Sequence, residues 1–452
     1  MEKDSLFATM RPGKALAIMA LPTVASQLII VIYNIVDTWF IGRTNNPYMI
    51  AASSLALTLF LLSASFANIF GVGGGSLMVR LLGEKKVEEA RKVASYSVAF
   101  SFISAAILSI VVLIFMEPLL MFLGASDNTL DYGKQYIIFT TVLGAIPTVL
   151  SMSMSQLLRN AGYSKEAGIG IALGSILNIA LDPLFMFVIL PKGYEVMGAA
   201  LATLIANVVS FIYFIVVFRK VREKTVLVIP KKVERIGKSN LKSLYSVGIP
   251  VAISIFLFDL VTIVLNKITA LFYGDIALAA MGIVLKMERL PINIGIGVCL
   301  AMVPLVAYNY GSKDYERMSK FLSLSRMVIM VFSVAGVALF WIFAEPISDA
   351  FIDDAETVTI AAFFLRGRSF ALPFMMIGYH LINFANATNR GKVSLFMAVF
   401  RHLMLIVPIV LVMNHLFGII GLAYAQFVSD FIGAMVSIIV FVWLKKSIMR
   451  ES

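Results

Sequence analysis

Apolar stretches run the length of this chain, separated by short polar segments. Twelve of them reach the roughly 20 residues that a helix needs to cross a bilayer. They lie near 15–42, 50–79, 93–116, 134–158, 167–190, 197–218, 244–273, 277–309, 321–344, 358–388, 393–413 and 418–444. Leu, Ile, Ala and Met dominate them, which suits helices, and lipid offers no partner to backbone groups left unpaired. A membrane β-barrel would instead show short strands of alternating polarity. The expectation is an all-α membrane protein of twelve transmembrane helices.

Composition supports this. The 452 residues are 60% hydrophobic and only 14% charged, with a mean hydropathy of +0.93. Soluble globular chains are roughly 45–50% apolar and about 25% charged. The polar segments also alternate in charge. Lys3, Arg11 and Lys14, "RLLGEKKVEEARK", Arg159 with Lys165, "RKVREKTVLVIPKKVERIGKSNLK", "GSKDYERMSK", Arg390 with Lys392, and "LKKSIMR" are basic. The loops between them, such as "GRTNNPY", "GASDNTLDYGK" and "EPISDAFIDDAE", are poor in Lys and Arg. This positive-inside bias predicts a multi-pass cell-membrane protein with both termini cytoplasmic. The net charge of +11 is therefore topological first, with anionic lipid headgroups as a second partner and no nucleic acid. The polar start "MEKDSLFATMRPGK" and a first apolar run too long for an h-region argue against a cleaved signal. Cys299 is the sole cysteine, and His380, His402 and His415 are scattered, so neither a disulfide nor a Cys/His metal site is expected.

A shift of 228 residues superposes the chain on itself. Pro22 falls on Pro250, Gly83 on Gly311, Lys85 on Lys313 and Glu88 on Glu316, and "IFMEP" at 114–118 on "IFAEP" at 342–346. A slightly different shift aligns "MGAALA" at 197–202 with "IGLAYA" at 420–425. Each copy holds six spans, an even number, so the two share one orientation, as parallel repeats of secondary transporters do. The expected organisation is an N-lobe over 1–218, a basic cytoplasmic linker over 219–243 and a C-lobe over 244–452. Such lobes suit alternating access. No GxxxxGK[ST] stretch is present; "GVGGG" at 71–75 reads as close helix packing rather than a phosphate cradle. An ion gradient is the expected drive, without cofactor. No constellation of an enzyme site appears near a membrane face.

A charge inside a spanning helix costs about 2.5–3.5 kcal/mol on insertion scales and is read as functional by default. Asp37 stands alone in the apolar stretch 16–41. Asn178 and Asp182, at i and i+4 of another span, share a helix face. With Thr203 on the sixth span they offer two carboxylates, an amide oxygen and a hydroxyl, which are hard ligands for Na⁺ or a trap for H⁺. Pro22, about four turns before Asp37, removes a backbone bond and permits a kink. The second copy has Leu265 where Asp37 would fall. Asp430 is a further charge inside a span, and in place of the first-lobe cluster the second copy carries Asp259, Lys267, Lys286, Glu288, Arg289 and Arg401. Most of these read as mutually neutralising ion pairs, and Asp259, isolated in "IFLFDLVTIVLN", as a second cation site.

These residues resemble those of the multidrug and toxic compound extrusion (MATE) family of the MOP superfamily. "PTVASQLIIVIYNIVDTWFIG" is similar to that family's first helix, and "RNAGYSKEAGIGIALGSILNIALDPLF" to its fifth span. "MGAALAT" is similar to the start of its sixth span, and "NRGK" at 389–392 to its loop after span ten. The resemblance implies two pseudo-symmetric six-helix lobes and an antiporter, active as a monomer, that exports small organic cations or amphipathic compounds in exchange for H⁺ or Na⁺. It implies a cation site at Asp37, Asn178, Asp182 and Thr203. Asp259 matches an acid that another branch uses in span seven, while that branch's span-ten acid is Tyr379 here. A lipid-linked precursor flippase of the same superfamily shares the two-lobe plan.

Overall fold

The computed structural model describes residues 4–44, 46–230, 232–352 and 354–450. Lys3 and Lys231, counted above among the basic positions, lie outside it, as do Asn45, Asp353 and both chain ends. Every regular element among the described residues is helical. Eight helices are long and apolar enough to cross a membrane, and two further pairs meet the same test jointly, bent by 45° between Val142 and Ala145 and by 49° between Ser369 and Leu372. Two of the eight are double. Lys238–Gly311 breaks at Gly274 (φ 74°) and Gly391–Arg450 at Gly418 (φ 58°), a backbone region open to glycine at no steric cost. Dividing these two and counting each bent pair once yields the twelve expected spans.

In order they are Pro12–Gly42, Pro47–Gly83, Val87–Ile114, the pair Asp127–Val142 with Ala145–Asn160, Ser164–Ile189 and Glu195–Val221. Then come 238–273, 275–311, Tyr315–Asp349, the pair Ala355–Ser369 with Leu372–Ala387, 391–417 and 419–450. Their outward faces are apolar. Ile107, Ile110, Leu113 and Ile114 of span three are 56–65% exposed, and Val331 of span nine 63%. Lipid, not water, suits such faces.

The duplication seen in the sequence recurs in the backbone. Lys85 and Lys313, 228 residues apart, both adopt the left-handed conformation, with φ 62° and 61°. Phe115 (φ −106°, ψ 24°) and Phe343 (φ −109°, ψ 18°) interrupt spans three and nine at equivalent places. The bends of spans four and ten are also equivalent. By packing, the chain divides into one compact unit of residues 1–10 and 25–252 and another of 11–24 and 253–452. The boundaries after Val24 and after Ala252 each fall two residues beyond a repeated proline, Pro22 and Pro250.

In the first unit spans two, three and four pack around Ala67, Ala105, Leu108, Ile137, Ala145 and Val149. The "GVGGG" stretch serves close packing, as its small residues suggest. A Cβ on Gly71 would stand 3.0 Å from the Ser153 backbone, one on Gly73 2.5 Å from the Leu244 carbonyl oxygen, and one on Gly74 1.9 Å from Ser97 Oγ. Gly248 returns the contact, its Cβ position 2.3 Å from the Ile69 carbonyl oxygen. Gly73→Ala is therefore expected to destabilise the protein by about 1–3 kcal/mol, the range for overpacking. Thermal unfolding in detergent, with Gly13→Ala as the control in open space, measures it.

Candidate cation site

Spans five and six build the site by close approach. Gly170, Gly174, Asn178 and Asp182 recur every four residues and so lie along one helix face. A Cβ on Gly170 would meet the Phe214 ring at 2.4 Å, one on Gly174 Ser210 Oγ at 2.2 Å, and one on Gly198 the Phe185 and Met186 backbone at 2.8–2.9 Å. Ser210 Oγ donates to the Gly170 carbonyl at 2.9 Å. With the two helices held this near, Asn178 Nδ2 donates to Thr203 Oγ1 at 3.2 Å. Asp182 lies one position before Pro183, after which span five rewinds into a π-helical turn, Phe185–Ile189. Such turns are frequent at functional sites.

Span one supplies Asp37. Its C-terminal half is seated by Ile41 against Met186 and Ala199, with Phe40 and Tyr136 packed on them. The Phe40 and Phe187 rings lie 6.4 Å apart. The Asp37 and Asp182 carboxyl groups come within hydrogen-bonding reach of each other. Asp182, Asn178 and Thr203 are 0%, 2% and 6% exposed. The Asn178 amide lies against Asp182, yet neither Asp182 oxygen receives a well-formed hydrogen bond from the protein, nor does Asp37 Oδ1 or Asn178 Oδ1. Four buried acceptor oxygens on these three residues are thus left without a hydrogen-bond donor. An orphaned buried acceptor costs about 1–3 kcal/mol, more when charged. A proton or a small hard cation satisfies such a set.

The four residues singled out in the first lobe are therefore brought together. Two more join them. Tyr33 and Tyr136 both lie near the two carboxylates. Tyr33 is one turn before Asp37 on the same face, a spacing that would have marked it. Tyr136 arrives from span four, and nothing local in the sequence ties it to Asp37. Pro22 lies inside a helix that runs unbroken from Pro12 to Gly42.

The second lobe is different. Glu288 and Arg368, both nearly fully buried, form a two-point ion pair at 2.8 and 2.9 Å. Arg401 pairs with Asp430 at 2.6 and 3.3 Å, and its guanidinium lies 5.1 Å from the Tyr379 ring centroid. Asp259 is beside Arg289, whose guanidinium stacks 5.6 Å from the Phe258 ring centroid. Lys267 and Lys286 are exposed. Glu288, Arg289, Arg368 and Arg401 line a cavity of about 50 Å³, room for little beyond water. Glu288 and Arg401 are neutralised, each by a residue outside the set expected to pair, Arg368 and Asp430. Arg368 was not anticipated, although the rule that singled out Asp37 applies equally to an arginine inside "FFLRGRSFAL". Asp259 lies within electrostatic range of Arg289, with no ion pair between the two. Among the described residues no three His, Cys, Asp or Glu side chains form a metal cluster.

Two copies of a six-helix unit, one with a buried acceptor site, define a membrane transporter built by duplication. The chain belongs to the MatE family, whose signature matches residues 22–184 and again 250–412, offset by the same 228 residues. It is 30% identical over 441 residues to the multidrug export protein MepA of Staphylococcus saprophyticus, covering 97% of this chain and 94% of that one. It is also 30% identical over 429 residues to MepA of Staphylococcus aureus, covering 94% and 93%. Its fold matches, at a TM-score of 0.93 and 23% identity over 100% of this chain and 99% of the other, an outward-facing multidrug resistance MATE transporter of the MOP superfamily.

Proposed function

We propose that this transporter is an efflux antiporter that exports small organic cations or amphipathic compounds in exchange for H⁺ or Na⁺. The observation that carries this reading is the set of four donor-free buried oxygens on Asp37, Asn178 and Asp182. A carboxylate pair held in low dielectric binds a cation or shares a proton strongly, because both charges cannot stand there alone. Two lobes, 1–218 and 244–452, joined by the basic linker 219–243, alternate access to the two sides, and both termini are cytoplasmic. Uptake of the cation at Asp37 biases the bend that Pro22 permits in span one. The staphylococcal relatives named for multidrug export support drug efflux over a flippase for lipid-linked precursors, and a single chain is sufficient for transport.

The test is ethidium efflux from proteoliposomes under an imposed proton gradient and, separately, a Na⁺ gradient. Efflux driven by one of them identifies the coupling ion. Absence of ethidium transport under both, with movement of a fluorescent lipid-linked sugar instead, would sink the antiporter reading. Thr203→Val should lower the apparent affinity for the coupling ion by about tenfold, since it leaves a buried Asn178 donor unpaired at about 1–3 kcal/mol. Initial efflux rate against ion concentration checks it.

A further inference from the structure

We propose that a groove in the first unit, where the linker returns beside spans three, four and six, seats one acyl chain of an anionic phospholipid, with the phosphate held by Arg219 and Lys232. The cavity measures about 500 Å³, within the roughly 300–1,000 Å³ of sites that take an organic ligand. Its walls are apolar: Phe102 from span three, Met154 from span four, Phe211 and Ile215 from span six. Its polar lining consists of two cations, Arg219 in the last turn of span six and Lys232 of the linker. Neither is in an ion pair among the described residues. A hydrocarbon trough ending in two like charges is complementary to an amphiphile whose head is an anion. It is mismatched to the organic cations of the proposed transport reaction.

The linker is built to hold this mouth in place. Val226 and Leu227 are 2% and 0% exposed and anchor the return of the chain, and Ile229, Pro230 and Val233 then line the groove. Phe102 is 49% exposed, Ile229 40% and Val233 54%, so the groove opens on an apolar surface continuous with the lipid-facing side. Asn240 Nδ2 donates to Glu89 at 2.8 Å, which sets this end of the linker beside the basic loop before span three. Basic pockets between spans on the cytoplasmic side suit anionic headgroups.

The experiment uses the full chain with Trp39, Trp341 and Trp443 changed to Phe and Phe211→Trp as the single reporter. It is reconstituted in phosphatidylcholine vesicles containing equal fractions of either brominated phosphatidylglycerol or brominated phosphatidylcholine. The expected result is at least twofold stronger quenching of the tryptophan by the brominated phosphatidylglycerol. That preference should vanish in Arg219→Gln/Lys232→Gln, two exposed positions whose change leaves the fold intact, and both lipids should quench less when Ala99→Leu fills the groove. Equal quenching by the two lipids, or a preference unchanged in the double variant, would overturn the proposal. So would displacement of the brominated phosphatidylglycerol by tetraphenylphosphonium, which would make the groove a seat for organic cations.

Discussion

Asp37→Asn is expected to reduce gradient-driven ethidium efflux to the level of protein-free vesicles while the protein remains folded and inserted. The substitution keeps the shape of the side chain and removes its charge, so the packing of Ile41 against Met186 and Ala199 one turn further on is retained. It also places an amide N–H₂ where Asp182 lacks a donor, which mimics permanently the cation-loaded site. An exchanger that cannot unload cannot turn over. Asp182→Asn should do the same from the other side of the pair, and ethidium binding by the detergent-solubilised variants should persist. Coupled efflux at the wild-type rate in Asp37→Asn would remove Asp37 from the mechanism and shift attention to Asp259.

The second large effect lies in the other lobe and concerns stability. Glu288→Gln leaves the Arg368 guanidinium, 4% exposed, without its two-point partner. Breaking a buried pair from one side costs about 3–5 kcal/mol, because the remaining charge is stranded. The apparent unfolding temperature in detergent should fall by many degrees. The double variant Glu288→Met/Arg368→Met should recover most of it, since well-packed apolar replacements of buried pairs are often neutral or stabilising. A double variant as unstable as the single would mean that the pair is needed for more than mutual neutralisation. Arg401→Met, which strands Asp430, provides the parallel measurement.

Much of this was legible in the sequence because lipid imposes simple rules. Uninterrupted apolar length gave the spans. One offset of 228 gave the duplication, which then reappeared in φ angles at Lys85 and Lys313 and in the interruptions at Phe115 and Phe343. Asp37, Asn178, Asp182 and Thr203 could be grouped because a charge in an apolar run must find partners, and two of the four sit at i and i+4. Other features were hidden for definite reasons. Tyr136 meets the carboxylates only through the packing of span four, which no local pattern encodes. Arg368 lay in a segment read for its length and not for its charges. The short separations at Gly274 and Gly418 blur the span ends, because a single glycine turns the chain where a polar loop would have announced itself.

The glycines of span two carry a consequence for how the protein is made. Gly73 packs against Leu244 and Gly248, which leave the ribosome about 175 residues later, on the order of ten to thirty seconds at ordinary synthesis rates. During that interval a bare backbone face of span two waits in the membrane without its final cover. A fragment ending at residue 218 would keep that face open indefinitely, whereas one extended through Ala252 would close it. Pulse-labelled nascent chains of the two lengths should therefore differ in protease resistance, the longer acquiring it as the start of span seven docks.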